Sequence, residues 1–258
     1  MFKYRNHTIV TLSILVLLTF VSCESSRKRE FVVDGYLIEL DSLVEKHRYI
    51  DSVISIYRVE VDKEMGQILA HSEHVMERGT PEGLLNNFVA DLVLEIGKEL
   101  YKPEDGKPID FCLLNYGGLR TSIPKGAVSK SRIFELLPFE NEMIVVTISG
   151  EKTIELFNYL ADYQYGMPVS GIKLGISDKK PQEILINNEA FNDKRDYKVL
   201  TSDYLANGGD NMSFFLQPKN SELIGKRVRD AIILHLERAN SRGEKISSKL
   251  DQRMYYIK

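Results

Sequence analysis

Asn115-Tyr116-Gly117-Gly118 with Arg120, and the nearby Phe139 and Asn141, are the residues of this chain whose types and spacing suit recognition of a flat, polar ligand. Two adjacent glycines let a backbone turn where side chains would clash, so a ligand or a second loop can come close. Arg120 stands as a cation at the mouth of that turn. Pro138 cannot continue a helix, which leaves Phe139 and Asn141 on a loop. A ring and an amide close to an arginine can stack on a planar heterocycle and hydrogen-bond its edge. The plainer alternative is that Phe139 fills a gap in the core and Arg120 makes a surface ion pair. A second corner, Tyr204-Leu205-Ala206-Asn207-Gly208-Gly209-Asp210, offers another ring, another tight turn and a carboxylate that accepts from hydroxyls. By itself such a G-G-D turn is a common surface loop.

These corners need elements to hold them. Phe111 to Leu114 is short and apolar enough for a strand buried on both faces, and it stops at Asn115. Ile123-Pro124-Lys125-Gly126 reads as a turn, followed by a short helical piece ending at Pro138. Met143 to Ser149 alternates like a strand, and Glu151 to Tyr163 is helical with Ile154, Leu156, Phe157 and Leu160 inward. Gly166 to Asp178 reads as a strand broken by glycines, and Ile184 to Ile186 as a short one. Tyr197 to Thr201 is a strand leading into the second corner. Residues 221 to 240 read as a closing helix with Val228, Ile232, Ile233 and Leu236 inside, and Met254 to Ile257 as a last strand.

Upstream, apolar residues recur at helical spacing between Asp41 and Met65, with Asp51 or Ser52 as cap and Gly66 as stop. Gln67 to Met76 follows as a strand, on which His71 and His74 face opposite ways, a poor arrangement for one metal ion. Thr80 and Pro81 have the types expected at the cap and first position of the next helix, whose apolar stripe includes Leu85, Phe88, Leu92 and Ile96. This interleaving of short apolar runs and amphipathic segments predicts an α+β fold, mixed sheets with helices packed against them.

The 258 residues carry 34 basic and 37 acidic side chains, a net charge of −3. Such scattered, mildly acidic charge lacks the basic footprint of a protein that binds DNA or RNA polymers. Residues 1 to 23 have the parts of an export signal: Lys3 and Arg5, an apolar run from Ile9 to Val21, then Ser22-Cys23. Phe20-Val21-Ser22-Cys23 resembles a bacterial lipobox, so Cys23 is the expected acylation site and the protein an exported lipoprotein, periplasmic or cell-surface, anchored to a membrane. Residues 24 to 44 form a charged tether and N-terminal extension, with a candidate strand at Phe31 to Leu40. Residues 45 to 258 form the folded domain. Cys112, inside an apolar run, reads as a buried free thiol.

N-x-G-G-L-R at 115 to 120, I-P-x-G at 123 to 126, L-P-F-x-N at 137 to 141 and A-N-G-G-D at 206 to 210 together resemble the C-terminal, substrate-binding domain of the 5'-nucleotidase and UDP-sugar hydrolase family. The resemblance covers roughly residues 45 to 258. It implies that Phe139 and Tyr204 sandwich a base, with Asn115 and Asn141 against its edge. It also implies that Arg120 and Asp210 hold ribose hydroxyls and that Gly117, Gly118, Gly208 and Gly209 shape the turns. The family's helix pattern N-x-x-N-x-x-x-D, preceded by a substrate-contacting arginine, is kept here at Asn87 and Asp91. Leu84 and Gly79 depart from it, and Arg78 stands one position off.

In that family two divalent metal ions on a separate metallophosphatase domain perform hydrolysis, held by motifs of the D-x-H, G-N-H-[DE] and G-H-x-H kind. None of these strings occurs in the sequence. No G-x-S-x-G elbow, C-x-x-C or phosphate loop replaces them. Ser122 and Lys125 match S-x-x-K by letters, but Pro124 between them opposes the helix that would bring them together. The expectation is therefore a nucleoside- or nucleotide-binding lipoprotein, holding no cofactor itself and not catalytic alone. A separate metallophosphatase chain carries the two metal ions. The alternatives are a nucleoside-binding lipoprotein without such a partner, or a scaffold whose clamp has decayed.

Overall fold

In a computed structural model of the chain, described for Gly35 and residues 47 to 257, mixed sheets and helices interleave. The expected leader, Cys23, the tether and the candidate strand at Phe31 to Leu40, Gly35 apart, lie outside the described residues. The chain divides into a unit ending at Ile50 and a unit from Asp51 onward.

A central sheet of five strands has the order β10-β4-β9-β2-β5. Its members are β2 (Phe111–Leu113), β4 (Glu142–Ile148), β5 (Val169–Ser170), β9 (Tyr197–Ser202) and β10 (Asn220–Arg227). β2 and β9 run parallel, with Cys112 opposite Leu200, and β4 runs antiparallel to β9, with Met143 opposite Ser202. Alternation along each strand feeds two cores, because successive side chains leave opposite faces of a sheet. Met143, Val145, Leu200 and Cys112 face one core with α2 (Leu84–Leu100) and α6 (Val228–Ser241). Val146, Ile148, Val199, Phe111 and Leu113 face the other, with α4 (Gly150–Asp162). Burial pushes the Cys112 thiol far above its ordinary pKa.

A pair, β1 (Ile68–Ser72) with β3 (Gly126–Ser129), and a four-stranded sheet complete the framework. The latter holds β6 (Ile172–Ser177), β7 (Lys180–Ile186), β8 (Glu189–Ala190) and β11 (Met254–Tyr256) in the order β11-β6-β7-β8. Helices α1 (Arg48–Met65), α3 (Lys130–Leu136) and α5 (Asp203–Ala206) fill out the chain. The expected α+β class with mixed sheets is thus observed.

Three local expectations are corrected. Thr80 and Pro81 do not open α2: it starts at Leu84 behind Gly83, and the Thr80 hydroxyl instead accepts from the Gly166 backbone N–H at 3.2 Å. Residues 220 to 227 are not helical. Glu222, Ile224 and Lys226 alternate with exposed neighbours, the period-2 signature of an edge strand, and β4 supplies the partner that no local signal announces. Asp51 and Ser52 lie inside α1, which begins at Arg48, so neither caps it.

Candidate functional site

Both glycine corners leave the carboxyl ends of neighbouring parallel strands. β2 runs into a 3-10 turn at Tyr116–Gly118, and β9 runs into α5 and then Gly208. The loop carrying Phe139 and Asn141 leads into β4, whose antiparallel direction brings its beginning to the same edge of the sheet. Loops outside the carboxyl ends of parallel strands are where such sheets bind ligands. Here three converge.

At the first corner the Asn115 side chain folds over Gly118, where a Cβ would lie 2.7 Å from the amide oxygen. Its amide then donates to an Asp210 carboxylate oxygen at 2.7 Å. Asp210 sits in the left-handed region at φ 52°, beyond Gly208 at φ 83°, where glycine meets no Cβ penalty. Tyr204 donates its hydroxyl to the other carboxylate oxygen at 2.8 Å and accepts from the Asp210 N–H at 3.2 Å. That bond with Asp210 holds the Tyr204 phenol above its ordinary pKa. The Tyr204 ring lies so close to Gly209 that a Cβ there would approach it to 2.5 Å. Tyr159 donates to the Asp210 carbonyl at 2.9 Å from below.

Asn115, Gly118, Phe139, Asn141 and Ser202 line one small hollow of about 20 Å³, room for a single water, and Tyr204 is not among the residues that line it. Phe139 is 46% exposed and Tyr204 45%, so neither ring is a core residue. The plainer alternative for Phe139, a plug in the core, is thereby removed. Arg120 is exposed, and its guanidinium folds back to the Gly117 carbonyl at 3.4 Å. No hydrogen bond or ion pair joins it to Asp210 among the described residues. Arg78 lies with its guanidinium 4.2 Å from the centre of the Tyr116 ring and donates to the Tyr116 carbonyl at 3.3 Å. The arginine one position off the family pattern therefore borders the first corner.

Two roles were missed in the sequence. Arg229, 4% exposed, donates to the carbonyls of Leu137 and Phe139 at 3.3 and 3.5 Å and to Glu140 at 2.8 Å, with its guanidinium 4.1 Å from the Phe134 ring centre. It props the loop that presents Phe139. The available signal was an arginine on an otherwise apolar helix stripe, beside Val228 and Ile232. Asp91 and Asn87 hold the tail: Asp91 pairs with Arg253 at 2.6 Å, and Asn87 donates to the Lys249 carbonyl at 2.8 Å. Glu82 accepts from the backbone of Asp251 and Gln252. Among the described residues no group of three or more His, Cys, Asp or Glu side chains is placed to hold a metal ion.

A family model described as the 5'-nucleotidase C-terminal domain matches residues 64–217. The apyrase of Tabanus yao is 23% identical over 223 residues, covering 77% of this chain and 40% of that protein. The trifunctional nucleotide phosphoesterase protein YfkN of Bacillus subtilis is 27% identical over 197 residues, covering 70% of this chain and 13% of that protein. Among solved structures, a 5'-nucleotidase precursor from Thermus thermophilus superposes with a TM-score of 0.66 at 20% identity, covering 81% of this chain and 43% of that one. The chain spans less than half the length of these relatives.

Proposed function

Because this chain belongs to the 5'-nucleotidase C-terminal domain family, we propose that it binds nucleosides or nucleotides at the edge where its three loops converge. The observation that carries this reading is the Asn115 to Asp210 bond, which draws the two glycine corners together beside a hollow bordered by the exposed Phe139 ring. Phe139 and Tyr204 offer ring faces to a heterocycle, and stacking on an aromatic side chain contributes about 1–3 kcal/mol per base with little preference among bases. Asn115 and Asn141 supply amide donors and acceptors for the base edge. Asp210 accepts from ribose hydroxyls, using lone pairs left free by Asn115 and Tyr204. Arg120 reaches the same ligand by swinging away from Gly117.

Binding is the whole of this chain's part. Hydrolysis of the phosphate ester falls to a separate metallophosphatase chain carrying two divalent metal ions, and Cys23 carries the lipid that keeps the pair at a membrane outside the cytoplasm. The absence of the D-x-H, G-N-H-[DE] and G-H-x-H strings from the sequence supports this division. Calorimetry of the purified chain with adenosine and adenosine monophosphate tests the clamp. Saturable heat is expected, and its absence, or its persistence in a Phe139→Ala/Tyr204→Ala double variant, ends the proposal. Incubation with added Mn²⁺ and a nucleoside monophosphate tests the division of labour, with no enzyme-like release of phosphate expected from this chain alone.

A further inference from the structure

Asp210 and Asn211 are consecutive residues other than glycine in the left-handed region, at φ 52° and 60°. Backbone of that kind persists only where its surroundings hold it. Asp210 is held through every polar group it has. Its N–H donates to the Tyr204 hydroxyl, one carboxylate oxygen accepts from Tyr204 and the other from Asn115, and its carbonyl accepts from Tyr159 at 2.9 Å. Three of these four bonds come from the glycine corners themselves, through side chains that solvent reaches. The fourth comes from a helix.

Tyr159 stands on α4, whose Leu156, Phe157 and Leu160 are buried in the second core. Its ring packs on that core, stacked against Tyr163 with centres 5.2 Å apart and edge-on to Phe214 at 5.5 Å. Phe214 lies in the 3-10 turn Ser213–Phe215, just beyond Asp210 and Asn211. Ring and hydroxyl therefore grip one short segment. Burial, then the neighbouring Tyr163, Asp210 and Tyr204, push the Tyr159 phenol above its ordinary pKa, so the hydroxyl keeps its proton as a donor. A donor whose rotamer is locked by packing holds its acceptor more closely than one on an exposed loop.

We propose that Tyr159 is a positioning residue for ligand binding: from the packed helix it fixes the main chain at Asp210, and so the direction in which the carboxylate faces the ribose hydroxyls. The proposal rests on the nucleoside-binding reading above. Tyr159 acts without touching the ligand, because its hydroxyl is engaged by the Asp210 carbonyl. Tyr163 shares the stack, yet among the described residues no hydrogen bond joins it to the second corner. It is the control that has the ring without the strut.

Calorimetry on the full chain, on Tyr159→Phe and on Tyr163→Phe compares adenosine with 2',3'-dideoxyadenosine, which lacks the hydroxyls that Asp210 would accept from. The parent should bind adenosine more tightly than the dideoxy compound. Tyr159→Phe keeps the ring, and its adenosine affinity should fall about three- to tenfold, the worth of one ordinary hydrogen bond, while its dideoxyadenosine affinity holds. Tyr163→Phe should behave as the parent. Partial unfolding weakens both ligands by one factor and leaves their ratio, so the readout survives a loss of stability. An unchanged ratio in Tyr159→Phe overturns the proposal, as does an equal change of ratio in Tyr163→Phe or a Tyr159→Phe chain that does not fold. In those outcomes the parent still binds adenosine, and the nucleoside-binding reading stands. A parent that binds both compounds equally removes the ribose role of Asp210 and the positioning role with it. A parent that binds neither ends the functional reading itself.

Discussion

The Asn115 amide donates to the Asp210 carboxylate at 2.7 Å, a bond between residues 95 positions apart that ties the end of β2 to the end of β9. Its contribution is measurable. A hydrogen bond to a charged group is worth about 1.5–3 kcal/mol when well shielded, and less at this half-exposed corner. Asn115→Ala is expected to lower unfolding free energy in urea by about 1 kcal/mol. It should also weaken adenosine binding, because Asp210 then loses one of its two side-chain anchors.

Phe139 and Tyr204 are both nearly half exposed, so stability and binding separate cleanly there. Phe139→Ala and Tyr204→Ala should each leave the melting temperature almost unchanged while weakening nucleoside binding by about 1–3 kcal/mol. Tyr204→Phe keeps the ring and should retain most of the affinity. Calorimetry on the three variants checks both statements, and a Tyr204→Phe variant as weak as Tyr204→Ala would contradict the stacking role.

Arg229 acts through the loop it props. Arg229→Ala removes donors to two backbone carbonyls and a cation from the Phe134 ring, which should cost about 2–3 kcal/mol. Arg229→Lys keeps the charge but not the planar fork, so it should recover only part of that loss. Hydrogen exchange at Phe139 to Asn141 should rise in both variants, and protection equal to the parent's would sink the positioning role.

The tail carries an acid-sensitive lock. Hydrogen bonds from Arg253 hold the Asp251 carboxyl below its ordinary pKa. A carboxylate depressed in the folded state stabilises the fold above its unfolded pKa, and that contribution is lost as pH falls through the folded value. Stability should therefore decline as pH drops below about 4. Arg253→Met should flatten this decline. Its cost at neutral pH should be about 2–4 kcal/mol, moderated because Asp91 is 48% exposed and partly solvated once unpaired. Thermal unfolding from pH 3 to pH 7 checks slope and offset together.

Most elements were legible because their signals are local. Phe111 to Leu113 announces a buried strand by unbroken apolarity, and Glu151 to Tyr163 announces a helix by period. The stretch from 221 to 227 did not, since an edge strand draws its reason to exist from β4 rather than from its own residues. The candidate site divides the same way. Its rings, amides and glycines stood out by type, whereas Arg229 is an ordinary arginine until its carbonyl partners are in place.

Residue order alone marked the rings, amides and carboxylate that stand at or beside tight corners, because turns follow from glycine and proline within a few residues. Only the folded sheet decided that the turns meet. β9 lies beside β2 in parallel and beside β4 in reverse, so the ends of two strands and the beginning of a third arrive at one edge. Strand order is settled by burying two cores at once against both faces of that sheet, a sum over distant contacts that no short stretch of chain contains.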